Sequence, residues 1–119
     1  MLFRSPAITL DDFCLKHAVP RVDLIKIDTD GHEFEVLTGA HGTLENHLPY
    51  LIFEMGLYVL KEQHITFAQY FDYLSAFDYK LINAKNGSAV TMETFERQIP
   101  WQSTTDIIGI PPQGGRRNR

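Results

Sequence analysis

Five residues in the first half of the chain have types and spacing suited to chemistry: Asp28, Asp30, Gly31, Glu33 and Glu54. Asp28 and Glu54 each end a short apolar run, Leu24-Ile25-Lys26-Ile27 in one case and Tyr50-Leu51-Ile52-Phe53 in the other. A carboxylate at such a place costs free energy if buried without partners, and no local structural role accounts for either one. A positioned carboxylate can take a proton from a reacting group. Asp30 and Glu33 have a competing structural use. An acid followed three residues later by Glu forms a capping-box pair, and both acids favour the positive end of a helix dipole. Gly31 between them permits a tight strand-to-helix turn or the close approach of another group. His32 beside Asp28, Asp30 and Glu33 brings a divalent metal into consideration. The spacing matches no zinc signature, and one helix start cannot aim all four side chains inward, so no metal is expected.

The surrounding pattern supplies elements to position these residues. Thr9 with Asp12 opens a short helix, along which Leu10, Phe13, Cys14 and Ala18 recur at helical spacing until Pro20 stops it. Residues 22–28 read as a strand rich in branched side chains. A helix follows directly, with Phe34, Val36, Leu37 and Ala40 on its apolar stripe and Gly39 and Gly42 weakening its end. Pro49 halts the connection, and residues 50–54 form a second strand of the buried type. Phe67, Tyr70, Phe71, Leu74 and Phe77 then share one helical face, and core packing explains their spacing. Residues 79–83 return to a strand, Asn86-Gly87 signals a hairpin, and residues 105–110 close the chain as an extended, antiparallel run. Trp101, in the loop before that run, is placed to cover either the site or the sheet edge. Strands alternating with helices imply right-handed crossovers and an α/β fold with a parallel sheet. Ligands of such sheets bind beyond the carboxyl ends of the strands, where Asp28 and Glu54 fall.

A chain of 119 residues fits one domain, expected over 1–112, with a flexible basic tail over 113–119 carrying Arg116, Arg117 and Arg119. The net charge of −4 gives no broad attraction to phosphate backbones, so nucleic acid is not an expected partner. Cys14 stands alone, which excludes an intramolecular disulfide and fits a cytoplasmic protein. No apolar run approaches the ~20 residues that span a bilayer, so no membrane partner is expected either. His17, His41, His47 and His64 lack matched partners and receive no role.

Several of these segments together resemble the FkbM family of methyltransferases. The resemblance rests on the strand ending in Ile27-Asp28, on Asp30-Gly31 before Glu33, on Leu37-Thr38-Gly39-Ala40 in the helix, and on the following strand ending in Phe53-Glu54. Thr9-Leu10-Asp11-Asp12-Phe13 resembles the segment that the family places just upstream, so the likeness covers about residues 8–85. It implies a Rossmann-like domain that moves a methyl group from S-adenosylmethionine to an oxygen, often a hydroxyl of a sugar or other small molecule. The sulfonium donor is already activated, so such a protein must align the acceptor oxygen and help remove its proton. By this resemblance Asp28 and Glu54 are the catalytic candidates, and Asp28, Asp30, Gly31 and Glu33 the cofactor-binding ones.

Methyltransferases of this fold hold the cofactor with a glycine-rich loop after their first strand and bind its ribose with an acid after the second. No Gly-x-Gly pattern precedes residue 22. The chain is therefore expected to be the C-terminal half of the domain, a partial Rossmann-like sheet that is incomplete on its own. Strand 22–28 then becomes an exposed apolar edge, which invites a homo-oligomer or a partner chain. The alternative to a split or truncated enzyme is a non-catalytic remnant or interaction module that keeps the α/β scaffold.

Overall fold

The computed structural model describes residues 8–113, so positions 114–119 of the expected basic tail lie outside the described residues. Ten elements follow one another as α1 (Leu10–Lys16), β1 (Leu24–Ile27), α2 (Glu33–Thr38), α3 (His41–His47), β2 (Tyr50–Met55), α4 (Leu57–Glu62), α5 (Phe67–Ser75), β3 (Lys80–Asn83), α6 (Phe95–Gln98) and β4 (Thr105–Ile110). The strands form one open sheet in the order β1-β2-β4-β3. β1 and β2 pair in parallel, whereas β4 runs antiparallel to both of its neighbours. The class is α/β as the alternation predicts, and the antiparallel closing pair is present. The sheet is nonetheless mixed, because β4 inserts between β2 and β3. Ile107 and Ile108 give it an apolar residue for each face, which suits a strand paired on both sides.

One face of the sheet carries the core. Ile25, Ile27, Leu51, Phe53, Leu81 and Ile107 lie in a single buried cluster with Leu37, Leu44, Leu60, Tyr70 and Leu74. Leu10 of α1 and Phe95 of α6 pack against the same cluster, so all six helices reach it. The register joins Ile27 to Phe53 and Phe53 to Ile107, and the alternation of the strands therefore stacks these side chains in one row.

Four local readings are corrected. β1 begins at Leu24 and ends at Ile27, leaving Asp28 beyond the strand. The single helix expected after it is two helices, α2 and α3, which part at Gly39 and Ala40. Asp11 of α1 is the physical reason for that break. Its carboxylate accepts hydrogen bonds from the N–H groups of Gly42 (2.7 Å) and Thr43 (2.8 Å) and from the Thr43 hydroxyl (2.6 Å), capping α3 from a distant part of the chain. Thr9 packs on Gly39 so closely that a Cβ there would stand 3.2 Å from its side chain, which explains the glycine of the Leu-Thr-Gly-Ala segment. The capping box expected from Asp30 and Glu33 does not form. His32 is the N-cap of α2 without a side-chain bond, and Glu33 instead accepts from the Thr29 N–H at 3.2 Å. Finally, Asn86-Gly87 makes its turn, with Gly87 at φ 73°, but the returning chain forms only an Ala89–Ile82 bridge, and the ladder partner of β3 is β4. The Thr9 cap of α1 does form, accepting from the Asp12 N–H at 3.1 Å.

Candidate functional site

A cavity of about 240 Å³ opens at the carboxyl ends of β1 and β2, walled by the loop after β1, by α4 and by Thr104 at the end of the loop that leads into β4. Its first wall follows from Gly31, whose φ of +90° is a conformation that glycine adopts without strain. The turn is closed by the Gly31 N–H donating to the Thr29 carbonyl at 2.8 Å and the His32 N–H donating to the Thr29 hydroxyl at 3.2 Å. That reversal brings Glu33 back over Thr29. Although Glu33 is only 4% exposed, it lines the cavity.

α4 forms the opposite wall. Gly56 precedes it, and no side chain caps it; the N–H groups of Leu57 and Tyr58 donate instead to the carbonyls of Pro100 (2.9 Å) and Trp101 (3.2 Å). These bonds tie the loop before β4 to α4 and bring Thr104 to the cavity, where its hydroxyl donates to Glu54 at 3.1 Å. A Cβ on Gly56 would strike the Ser103 carbonyl, so only glycine lets the two segments cross. Tyr70 of α5 closes the floor, its ring stacked on Phe53 at 5.7 Å. Burial, with the nearby Glu33 carboxylate, pushes its phenol well above the ordinary value and keeps it protonated.

The lining contains four carboxylates, those of Asp30, Glu33, Glu54 and Glu62, and no Lys, Arg or His. Met55, Val59, Leu60 and Ile65 supply an apolar wall beside them. Such a cavity favours a cationic or hydroxyl-bearing group over an anion. Among the described residues no group of three His, Cys, Asp or Glu side chains could hold a metal ion.

Four of the five residues singled out from the sequence, Asp30, Gly31, Glu33 and Glu54, line this cavity. Asp28 does not; it is exposed on the backbone just past β1, one residue before Thr29 of the lining. Trp101 half-covers α4, with its ring 6.2 Å from Tyr58 and Lys61 Nζ 5.9 Å above it, and is not part of the lining. Sequence reasoning missed α4, Gln63 and Thr104. Leu57-Tyr58-Val59-Leu60 is an apolar run without a helical period, and residue 104 is 50 positions from the glutamate it meets. Tyr70 was legible only as a core residue; it belongs to the buried core and also lines the cavity.

The protein is an α/β domain with one open four-stranded sheet and a polar cavity at the carboxyl ends of its parallel strands, the place where ligands of open α/β sheets bind. Residues 3–81 match the family described as the methyltransferase FkbM domain, and the chain belongs to that family. The matched span includes Asp28, Asp30, Gly31, Glu33, Glu54 and all of α4, and it stops before Thr104 and β4. No curated protein and no solved structure matches the chain. Among the described residues no helix is long and apolar enough to cross a membrane.

Proposed function

We propose that this is a methyltransferase domain of Rossmann-like type, with its site at the cavity between the loop after β1 and α4, acting on a hydroxyl of a sugar or other small molecule. The observation that carries the reading is a carboxylate-lined cavity at the strand ends of a chain from the FkbM family. S-adenosylmethionine, when bound, supplies a methyl group on a positively charged sulfur, open to in-line attack by an oxygen.

The side chains fit one end of that cofactor. Its sulfonium and ammonium groups are cations, and the four carboxylates of the lining meet no side-chain cation there. A volume of about 240 Å³ is below the roughly 300–1,000 Å³ of pockets that enclose whole ligands, so the nucleoside part would need walls from elsewhere. We therefore read the chain as holding the methionine end and as incomplete on its own, with the open edge of β1 available to a further strand. Glu33 and Asp30 orient the positive groups, Gly31 lets them approach the backbone, and Tyr70 excludes water from below. Glu54, fixed by Thr104, and Asp28, at the exposed rim, are the groups to receive the acceptor's proton as its oxygen takes the methyl.

Titrating the isotope-labelled full chain with S-adenosylmethionine, followed by amide resonances, tests this. Shifts are expected at residues 29–33 and at Gly56. They should be weaker with S-adenosylhomocysteine, which lacks the sulfonium charge, and weaker again in Glu33→Gln, whose amide oxygen can still accept from Thr29. No response at these amides, or an equal response in the folded variant, would refute the assignment of the cavity.

A further inference from the structure

Two large aromatic side chains stand exposed beside the cavity, Tyr58 at 50% and Trp101 at 49%, and neither belongs to the buried core or to the side chains packed against it. They come from separate segments, α4 and the loop before β4, and the bonds from the Leu57 and Tyr58 N–H groups to the Pro100 and Trp101 carbonyls fix one against the other. The rings meet edge to face at 74°, and Lys61 Nζ lies 5.9 Å over Trp101. Among the described residues Lys61 forms no ion pair, which leaves its ammonium donors free for a ligand. Glu62 lines the cavity one turn of α4 after Tyr58, and side chains four apart share a helix face, so Tyr58 stands at the cavity's rim. Trp101 precedes Thr104, which holds Glu54, by three residues, and its Cα is therefore within roughly 11 Å of that of Thr104. Single exposed rings need no explanation, but a pair fixed by backbone bonds at the mouth of a polar cavity suits the holding of a ring-shaped ligand.

The surrounding charges decide which kind of ring. A planar phenol stacks on aromatic side chains, but on giving up its proton it becomes an anion beside four carboxylates, with no side-chain cation in the lining, which holds its pKa above the usual value of about 10. A saturated sugar ring meets the same surroundings without that cost. Its C–H face lies on an aromatic ring, whose π face is negative. The hydroxyls around its edge donate to carboxylates such as Glu54 and Glu62 and accept from Lys61. We propose that Tyr58 and Trp101 seat a pyranose ring of the methyl acceptor, with Lys61 bonding its hydroxyls, so that a neighbouring hydroxyl enters the cavity toward Glu54. That the sugar is the acceptor rests on the cavity being the methyl-transfer site; the seat itself binds the ring whether or not cofactor is present.

Trp101 is the single tryptophan, so its fluorescence reports the seat directly. The full 119-residue chain is titrated, without cofactor, with methyl glycosides of hexoses and 6-deoxyhexoses, with sorbitol, which has the hydroxyls but no ring, and with p-cresol, a phenol. At least one glycoside should give a saturable, millimolar response in Trp101 fluorescence and at the Tyr58 and Trp101 amide resonances, with sorbitol and p-cresol about tenfold weaker or more at the amides. Tyr58→Ala and Lys61→Met should each weaken the glycoside about five- to tenfold while circular dichroism stays unchanged. No response to any glycoside, an equal response to sorbitol, or one indifferent to both substitutions in folded protein would overturn the proposal. A response to p-cresol alone would overturn it in favour of a phenolic ligand. Titrating the same protein with S-adenosylmethionine separates the two readings: a glycoside response with silent amides at residues 29–33 keeps the seat and removes methyl transfer, and the reverse removes the seat.

Discussion

Replacing Asp11 with alanine should cost this fold about 2–3 kcal/mol, an amount set by what the carboxylate holds together. It accepts three hydrogen bonds of 2.6–2.8 Å from Gly42 and Thr43, two of them from the otherwise uncapped first turn of α3. A hydrogen bond to a charged group contributes about 1.5–3 kcal/mol, and a lost helix cap alone costs about 1 kcal/mol. The three bonds share one carboxylate and water reaches part of it, so their energies do not simply add. Thr43 is only 4% exposed, however, and its donors are left without a partner in the variant. At about 4–8 °C per kcal/mol for a domain near 100 residues, the melting temperature should fall by roughly 8–24 °C. Urea unfolding followed by circular dichroism gives the free-energy loss directly, provided the m-value is unchanged. Acid supplies a second readout. Burial works to raise the Asp11 pKa, but the bonds from Thr43 and Gly42, with His41 nearby, outweigh it and hold the carboxyl below its ordinary value. Its stabilisation is therefore present above the unfolded pKa of about 3.9 and is lost as pH falls through the lower folded value. Wild type and Asp11→Ala should converge in that acid range. A loss below about 0.5 kcal/mol at neutral pH, or a gap that persists in acid, would refute the capping role.

Gly31→Ala should cost about 1–2 kcal/mol, since φ is +90° and a Cβ would stand 2.9 Å from Gln63 Nε2; a displaced Gln63 side-chain amide resonance checks it. Gly56→Ala should destabilise by roughly 1–3 kcal/mol and broaden the Thr104 amide, because the new methyl meets the Ser103 carbonyl rather than a flexible side chain. Tyr73→Phe should lose about 1 kcal/mol with the hydrogen bond that its hydroxyl donates to the Leu37 carbonyl at 2.9 Å. Burial, and then the Asp11 charge, raise that phenol to about 12, so its stabilisation is complete below pH ~10 and is lost as pH rises through the folded value. Alkaline unfolding monitored by circular dichroism should lose this component in the Phe variant.

What could be read from residue order was local. The alternation of apolar runs predicts all four strands, although β1 is shorter than its apolar run because Val22 and Asp23 precede the first ladder pair, Leu24 with Tyr50. The Thr9 cap and the stripe of α5 were legible because each depends on positions three or four apart. The break between α2 and α3 was not, since the acid that causes it lies 31 and 32 residues from the amides it caps. Asp30 and Glu33 fit a capping pattern, yet Gly31 turns the chain so that Glu33 serves Thr29 and the cavity.

The sequence by itself determined the α/β class, the family and four of the cavity's acidic-loop and strand-end residues, because strand ends and turn glycines are marked by local chemistry. Tertiary structure decided which of those residues meet. It left Asp28 on exposed backbone and brought Thr104 onto Glu54 across 50 residues. It also placed every described helix against one face of the sheet. The other face carries the same kind of alternation, and only the packing of distant segments reveals that it is uncovered.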